Sequence, residues 1–258
     1  PSPERLAPIQ RGARCIMRKR LSADLDAPHA GLLPAGFSAE HLGPNDYYYW
    51  DDFWGIAGLR AAAAMLADTD PARSREFAQA ADDFAAAVET SLAGCEERLG
   101  RPAMPASPYR RLDAGAIGSL ACGYPVQLTA ADDPRLLDCV EFLLDRCFVK
   151  GAFYQDMIHS GLNAYLTLHV AQVLLRARDP RHLELMDAVA ALASPTGQWP
   201  EAIHPGTGGG CMGDGHHVWA AAEWLLMIRN CFVREEGEGL VLCAGIPARW
   251  LDQAAPIR

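Results

Sequence analysis

Three Asp-Pro pairs constrain what this chain can fold into: Asp70-Pro71, Asp133-Pro134 and Asp179-Pro180. Aspartate caps a helix because its carboxylate accepts a backbone N–H of the first turn. Proline suits the first helical position because its missing N–H has no intrahelical partner there. Each pair stands between an apolar helix that reads as an inner one and an amphipathic helix that reads as an outer one. The period is not fixed, so this is not a sequence repeat but a rhythm of helical hairpins stacked around an axis. The pattern predicts an all-α fold, an α/α toroid of helical hairpins with a short C-terminal β element.

The hydrophobic periodicity fills in the elements. Residues 1–30 read as an irregular lead-in with a short helix near 4–20, and 31–46 as a loop carrying Pro34, Gly36, Gly43 and Pro44. Helices are predicted over 53–66, 71–95, 113–122, 134–147, 157–178, 180–193 and 216–233. About seven helices fit, and the toroid reads as incomplete. Residues 239–246 (GLVLCAGI) carry the only convincing strand signal. A lone strand makes no sheet, so it is expected to pair outside this chain or with an undetected N-terminal strand. The expected domains are 1–235, a catalytic-type helical domain, and 236–258, the start of a small β segment.

Composition narrows the function classes. A net charge of −9 argues against sequence-independent nucleic-acid binding, which needs basic patches. The one basic run, 11–20, reads as a solvated segment. The eight cysteines form no CxxC pair and read as reduced thiols of a cytoplasmic protein, not a disulfide framework. No apolar run reaches the ~20 residues of a membrane span, and no signal-peptide core is visible. No cofactor, nucleic acid or membrane is expected as a partner.

Residues 47–54 hold six aromatics and two acids: Tyr47, Tyr48, Tyr49, Trp50, Asp51, Asp52, Phe53 and Trp54. Apolar C–H faces of a sugar stack on rings while carboxylates accept from its hydroxyls. The candidate subsite is therefore Tyr48, Trp50, Asp51 and Asp52. The alternative is a helix start with core aromatics and acids on the macrodipole. A second cluster is Gly197-Gln198-Trp199-Pro200-Glu201, with Trp199 a candidate sugar contact. A third is Asp214, His216 and His217, with Glu223 further along the helix. Adjacent helical residues diverge by about 100°, which disfavours the two histidines as a metal pair. A fourth is Tyr154-Gln155-Asp156 with His159 and Asn163. The run 208–213 matches G-x-G-x-x-G, but no strand precedes it and no βαβ unit surrounds it.

The segment YYYWDDFWGIAGL resembles the tyrosine–tryptophan–aspartate stretch of the six-hairpin glycosidases, the class of trehalases, glucoamylases and debranching-type glucosidases. The segments around GQWPE, DGHHVW and LVLCAGIPARWL are similar to others of that class, in the same order. The resemblance implies a glycoside hydrolase acting on a glucoside-type oligosaccharide, with Trp50 and Asp51 lining the sugar subsite and Glu201 as catalytic base. That role fits inverting hydrolysis, in which two carboxyls roughly 6.5–9.5 Å apart hold a water between them. For the general acid, Asp113 and Asp156 are the candidates, Asp113 also reading as a plain N-cap, with Asp52 a third possibility. The expected partner is a carbohydrate. Two other readings stay open: a sugar epimerase using His159, His204, His216 or His217, and a non-catalytic sugar-binding relative.

Overall fold

The computed structural model describes residues 3–37, 44–156 and 160–251. The chain divides into two compact units, the first from residues 1–129 and 133–139, the second from 130–132 and 140–258.

In the first unit α1 (Pro3–Lys19), α2 (Tyr49–Leu66) and α3 (Pro71–Leu99) precede a 3₁₀ helix at Ala114–Cys122. The α2–α3 hairpin is its core. Phe53, Ile56, Leu59 and Leu66 of α2 and Phe77, Phe84, Val88 and Leu92 of α3 are all buried. Each such side chain contributes about 1.5–3 kcal/mol of transfer free energy. Close approach explains Gly55, where an added Cβ would lie 2.9 Å from Phe84 Cε1. The turn is set as the Asp-Pro signal predicts: the Asp70 carboxylate accepts the Arg73 N–H at 3.1 Å.

Both later Asp-Pro pairs continue into arginine and build one device. Asp133 accepts the Arg135 N–H at 2.9 Å, and Arg135 Nη1 reaches Glu89 on α3 at 2.7 Å. Asp179 accepts the Arg181 N–H at 2.9 Å, and Arg181 Nη1 reaches Glu141 at 3.0 Å. Glu141 lies on α4 (Pro134–Arg146), and Arg181 opens α6 (Arg181–Ala191). The cap is worth about 1 kcal/mol. The exposed ion pair is worth less.

The second unit is built on α5 (Ala164–Arg176), buried along its whole length and packed on α6 and α7 (Val218–Phe232). Two of its interior polar groups are partnered across elements: Thr167 Oγ1 accepts from the Phe153 N–H at 2.9 Å, and Gln172 Oε1 accepts from Asn230 at 3.0 Å.

Two expectations are corrected here. The long helix over 157–178 begins only at Ala164. Ahead of it the chain turns at Lys150-Gly151, both with positive φ, into an antiparallel sheet. Its strands are β1 (Phe148–Val149), β2 (Ala152–Gln155), β3 (Gly161–Leu162), β4 (Ala202–Ile203) and β5 (Gly210–Met212), in that order. Strands of two to four residues are too short to show a period of two in sequence. Residues 157–159, His159 among them, lie outside the described residues, as do 38–43 of the predicted loop and 252–258 of the predicted β segment. The second correction concerns the last strand. β7 (Gly239–Leu242) pairs within the chain, with β6 (Val233–Glu236), around a two-residue turn whose Gly237 has φ +58. α8 (Ala248–Leu251) follows. The fold is mostly helical, as predicted.

Candidate functional site

In the first unit the aromatic–acid segment divides by direction. Tyr48 is the extended residue before α2, 2% exposed, with its hydroxyl donating to the Pro44 carbonyl at 2.7 Å. Tyr49 is buried with its hydroxyl 2.7 Å from Ser91 Oγ. Both tyrosines anchor the helix start, which corrects the expectation that Tyr48 is a sugar platform. Tyr47, given no separate role above, stacks on His29 with centroids 4.0 Å apart, and Tyr109 closes on the pair. Trp50 is half-buried and packs its edge against the exposed Trp54 at 5.7 Å.

The two acids differ in the same way. Asp52 is 1% exposed; Oδ1 accepts the Leu33 N–H at 2.9 Å, and Oδ2 is buried without a partner. Burial raises its pKa to about 7, against the pull of the Leu33 N–H and Arg20. It is a structural group holding the 31–37 segment, not a sugar ligand, which corrects its place in the predicted subsite. Asp51 is half-buried, and loss of water raises its carboxyl above the usual range.

In the second unit Glu201 stands at the entry to β4, half-buried. Its own carbonyl accepts from Asn163 Nδ2 at 2.8 Å. The neighbouring loop crosses it at Gly213, φ +78, where an added Cβ would sit 3.5 Å from Glu201 Cβ. Two residues before it, Trp199 is 5% exposed and donates from Nε1 to the Val189 carbonyl at 2.9 Å, with Trp224 against its ring. Trp199 is thus a buried anchor rather than the expected sugar contact. Its carbonyl accepts the His217 N–H at 2.9 Å, which fixes the start of α7 beside Glu201.

The His217 ring lies 4.7 Å from Tyr165 and 6.5 Å from Trp219. Burial lowers its pKa, opposed by the charge of Glu201. Behind it the buried Glu223 Oε1 lies 3.2 Å from His169 Nε2 and accepts from Trp219 Nε1 at 3.3 Å. Tyr165 and His169 gave no signal in sequence, because they read as interior positions of an apolar helix. The i, i+4 spacing of Trp219 and Glu223 was the available clue. Asp214 and His216 are exposed; Asp214 Oδ1 accepts the His216 N–H at 3.0 Å. Both line a cavity of about 600 Å³ with Ser194, Thr196, Gln198 and Gly213.

Neither acid candidate has the expected setting. Asp113 caps the 3₁₀ helix: Oδ1 accepts the Gly115 N–H at 2.9 Å and Oδ2 takes Arg110 Nη2 at 2.6 Å. Asp156 is exposed. The registers Gln155↔Gly161 and Leu162↔Ile203 place it and Glu201 at opposite ends of β3. That separates them by two strand spacings, roughly 10 Å, and by roughly 13 Å along the strands. Among the described residues no group of three His, Cys, Asp or Glu side chains is arranged to hold a metal. No described helix is long and apolar enough to cross a membrane.

No family model matches this chain, and no curated protein matches it. Solved structures do. A glycosidase variant is 17% identical, with a TM-score of 0.58 over 76% of this chain and 55% of its own. A glycosidase variant in complex with glucose is 17% identical, with a TM-score of 0.53 over 70% of this chain and 51% of its own. A bacterial glucoamylase complexed with acarbose is 13% identical, with a TM-score of 0.51 over 71% of this chain and 33% of its own. The chain spans about half the length of the glycosidases it matches. What the likeness establishes is a glycosidase-like helical fold.

Proposed function

We propose that this chain belongs to a glycoside hydrolase that cleaves a glucoside-type oligosaccharide with inversion, Glu201 being the general base. The observation that carries the reading is the setting of Glu201: a half-buried carboxylate on a turn clamped by Asn163, beside a desolvated His217. Such a group can take a proton from water as the water attacks the anomeric carbon. In the first unit, Trp50 and the half-buried Asp51 are the groups suited to a sugar, a ring face beside a carboxyl that exchanges hydrogen bonds with hydroxyls. Asp214, His216 and His217 are suited to further hydroxyls. The sugars bound by the structural relatives, glucose and acarbose, support a glucoside-type substrate.

Assay against aryl glucosides and glucose disaccharides, with the anomer of the first product read by NMR, tests the proposal. Glu201→Gln is expected to lower kcat by about 10²–10⁴ while sugar binding persists. Unaltered hydrolysis in that variant sinks the base assignment. A second reading, sugar epimerisation without bond cleavage, is favoured by the low proton affinity of His217, which suits a neutral imidazole to proton transfer. Isomer interconversion abolished by His217→Phe, with no glycoside cleaved, selects it.

A further inference from the structure

Two polar atoms beside Glu201 are left without a partner. Asn163 is 3% exposed; its Nδ2 is committed to the Glu201 carbonyl and its Oδ1 is buried and unpaired. The amide cannot be turned round, because the Glu201 carbonyl only accepts. His217 Nδ1 is likewise buried and unpaired. Its ring is held by Tyr165, and its backbone by the Trp199 carbonyl. Buried polar atoms are nearly always hydrogen-bonded, so two orphans on the residues that hold the Glu201 and Trp199 carbonyls point to a place where something else binds.

The donor–acceptor inventory says what. Asn163 Oδ1 and the Glu201 carboxylate only accept. His217 Nδ1 accepts or donates according to tautomer. An anion or a carbonyl would meet two acceptors and be refused. An O–H group fits: it donates to Asn163 Oδ1 or Glu201 and exchanges a bond with His217 Nδ1.

We propose that Asn163 Oδ1, His217 Nδ1 and the Glu201 carboxylate line a site for one hydroxyl oxygen: the attacking water, which donates to both Asn163 Oδ1 and Glu201, or a sugar hydroxyl, which donates its single proton to one of them. This deepens the glycosidase reading and rests on it for the identity of the two sources. If the oxygen is water, Asn163 and His217 orient its lone pair while Glu201 removes its proton. If it belongs to a sugar, the same atoms select that hydroxyl's configuration.

The test uses the 258-residue chain with Asn163→Ser, which keeps a good N-cap at the start of α5, and His217→Phe, which keeps the ring but removes its nitrogens. Thermal unfolding identifies the folded variants, and the two changes lie on different elements, so either one suffices. A roughly tenfold or larger fall in kcat with unchanged affinity for glucose assigns the oxygen to water. A comparable rise in the glucose Kd and in KM assigns it to the sugar. Folded variants with kcat and glucose Kd both as in the wild type overturn the proposal. A crystal structure of the wild-type chain soaked in glucose decides independently of turnover. One oxygen within hydrogen-bond distance of His217 Nδ1 and of Asn163 Oδ1, the Glu201 carboxylate or both is expected, and its absence overturns the proposal. A wild-type chain that cleaves no glycoside but shows that oxygen overturns the hydrolase reading alone.

Discussion

Asp52 accepts the backbone N–H of Leu33 at 2.9 Å and so fastens the segment after α1 to the start of α2. The bond puts a carboxyl in the core, where burial raises its pKa to about 7. A carboxyl raised in the folded state stabilises most below its unfolded pKa of about 3.9, and that contribution is lost as the pH rises to about 7.

Asp52→Asn keeps the acceptor for Leu33 and removes the ionisation. The variant is expected to gain on the wild type between pH 4 and 7 and to hold a constant lead above. The ceiling is about 4 kcal/mol, from roughly three pKa units at about 1.36 kcal/mol each, and local relaxation brings the expected lead to about 1–3 kcal/mol. Urea unfolding of both proteins at a series of pH values measures it. A pH-independent difference would refute the buried-carboxyl account.

His217 acts with the opposite sign. Its pKa is lowered by burial, so the unfolded chain takes up its proton first as the pH falls below about 6.5. Its contribution to stability is present above that pH and is lost on acidification. His217→Phe should therefore flatten the acid side of the unfolding profile, and an unchanged acid limb would contradict this.

Trp199 and Trp50 separate anchoring from binding. Trp199→Phe leaves the buried Val189 carbonyl without its indole donor and is expected to cost about 1–3 kcal/mol, read as a lower Tm. Trp50→Ala, at a half-buried position, should shift Tm less and weaken sugar affinity roughly tenfold, read by titration calorimetry. The reverse pattern would return the platform role to Trp199.

Gly55→Ala places a methyl 2.9 Å from the buried Phe84 ring. Overpacking of this kind costs about 1–3 kcal/mol, against a gain of up to ~1 kcal/mol in helix propensity. A net loss of about 1 kcal/mol is expected in chemical denaturation. A stabilised variant would mean that α2 and α3 pack less closely than described.

Glu223→Gln retains an acceptor for Trp219 but removes the charge facing His169. The variant is expected to fold with a lowered Tm and altered tryptophan fluorescence, since the side chain at 223 loses its hold on His169 and the Trp219 indole bonded to it shifts with it. An emission spectrum and Tm identical to the wild type would show that the pair holds nothing in place.

The sequence by itself determined the helical hairpins. Asp70, Asp133 and Asp179 act on N–H groups two or three residues away, and a proline fixes its own φ, so these starts are decided locally and can be read locally. It also marked Glu201 and the Trp50–Asp51 pair as groups worth locating. Only tertiary structure decided which of the marked residues are anchors. Tyr48, Asp52 and Trp199 are withdrawn from ligand by Pro44, Leu33 and Val189, and Asp113 is occupied by Arg110 and Gly115. No pattern of residue types reveals which aromatic side chain finds a buried carbonyl. The same holds for the small sheet, whose two- to four-residue strands exist only through their pairing. It holds too for the His169–Glu223 pair, 54 residues apart. Local chemistry sets where helices begin, whereas burial and partnership depend on chain segments that meet only when the protein is folded.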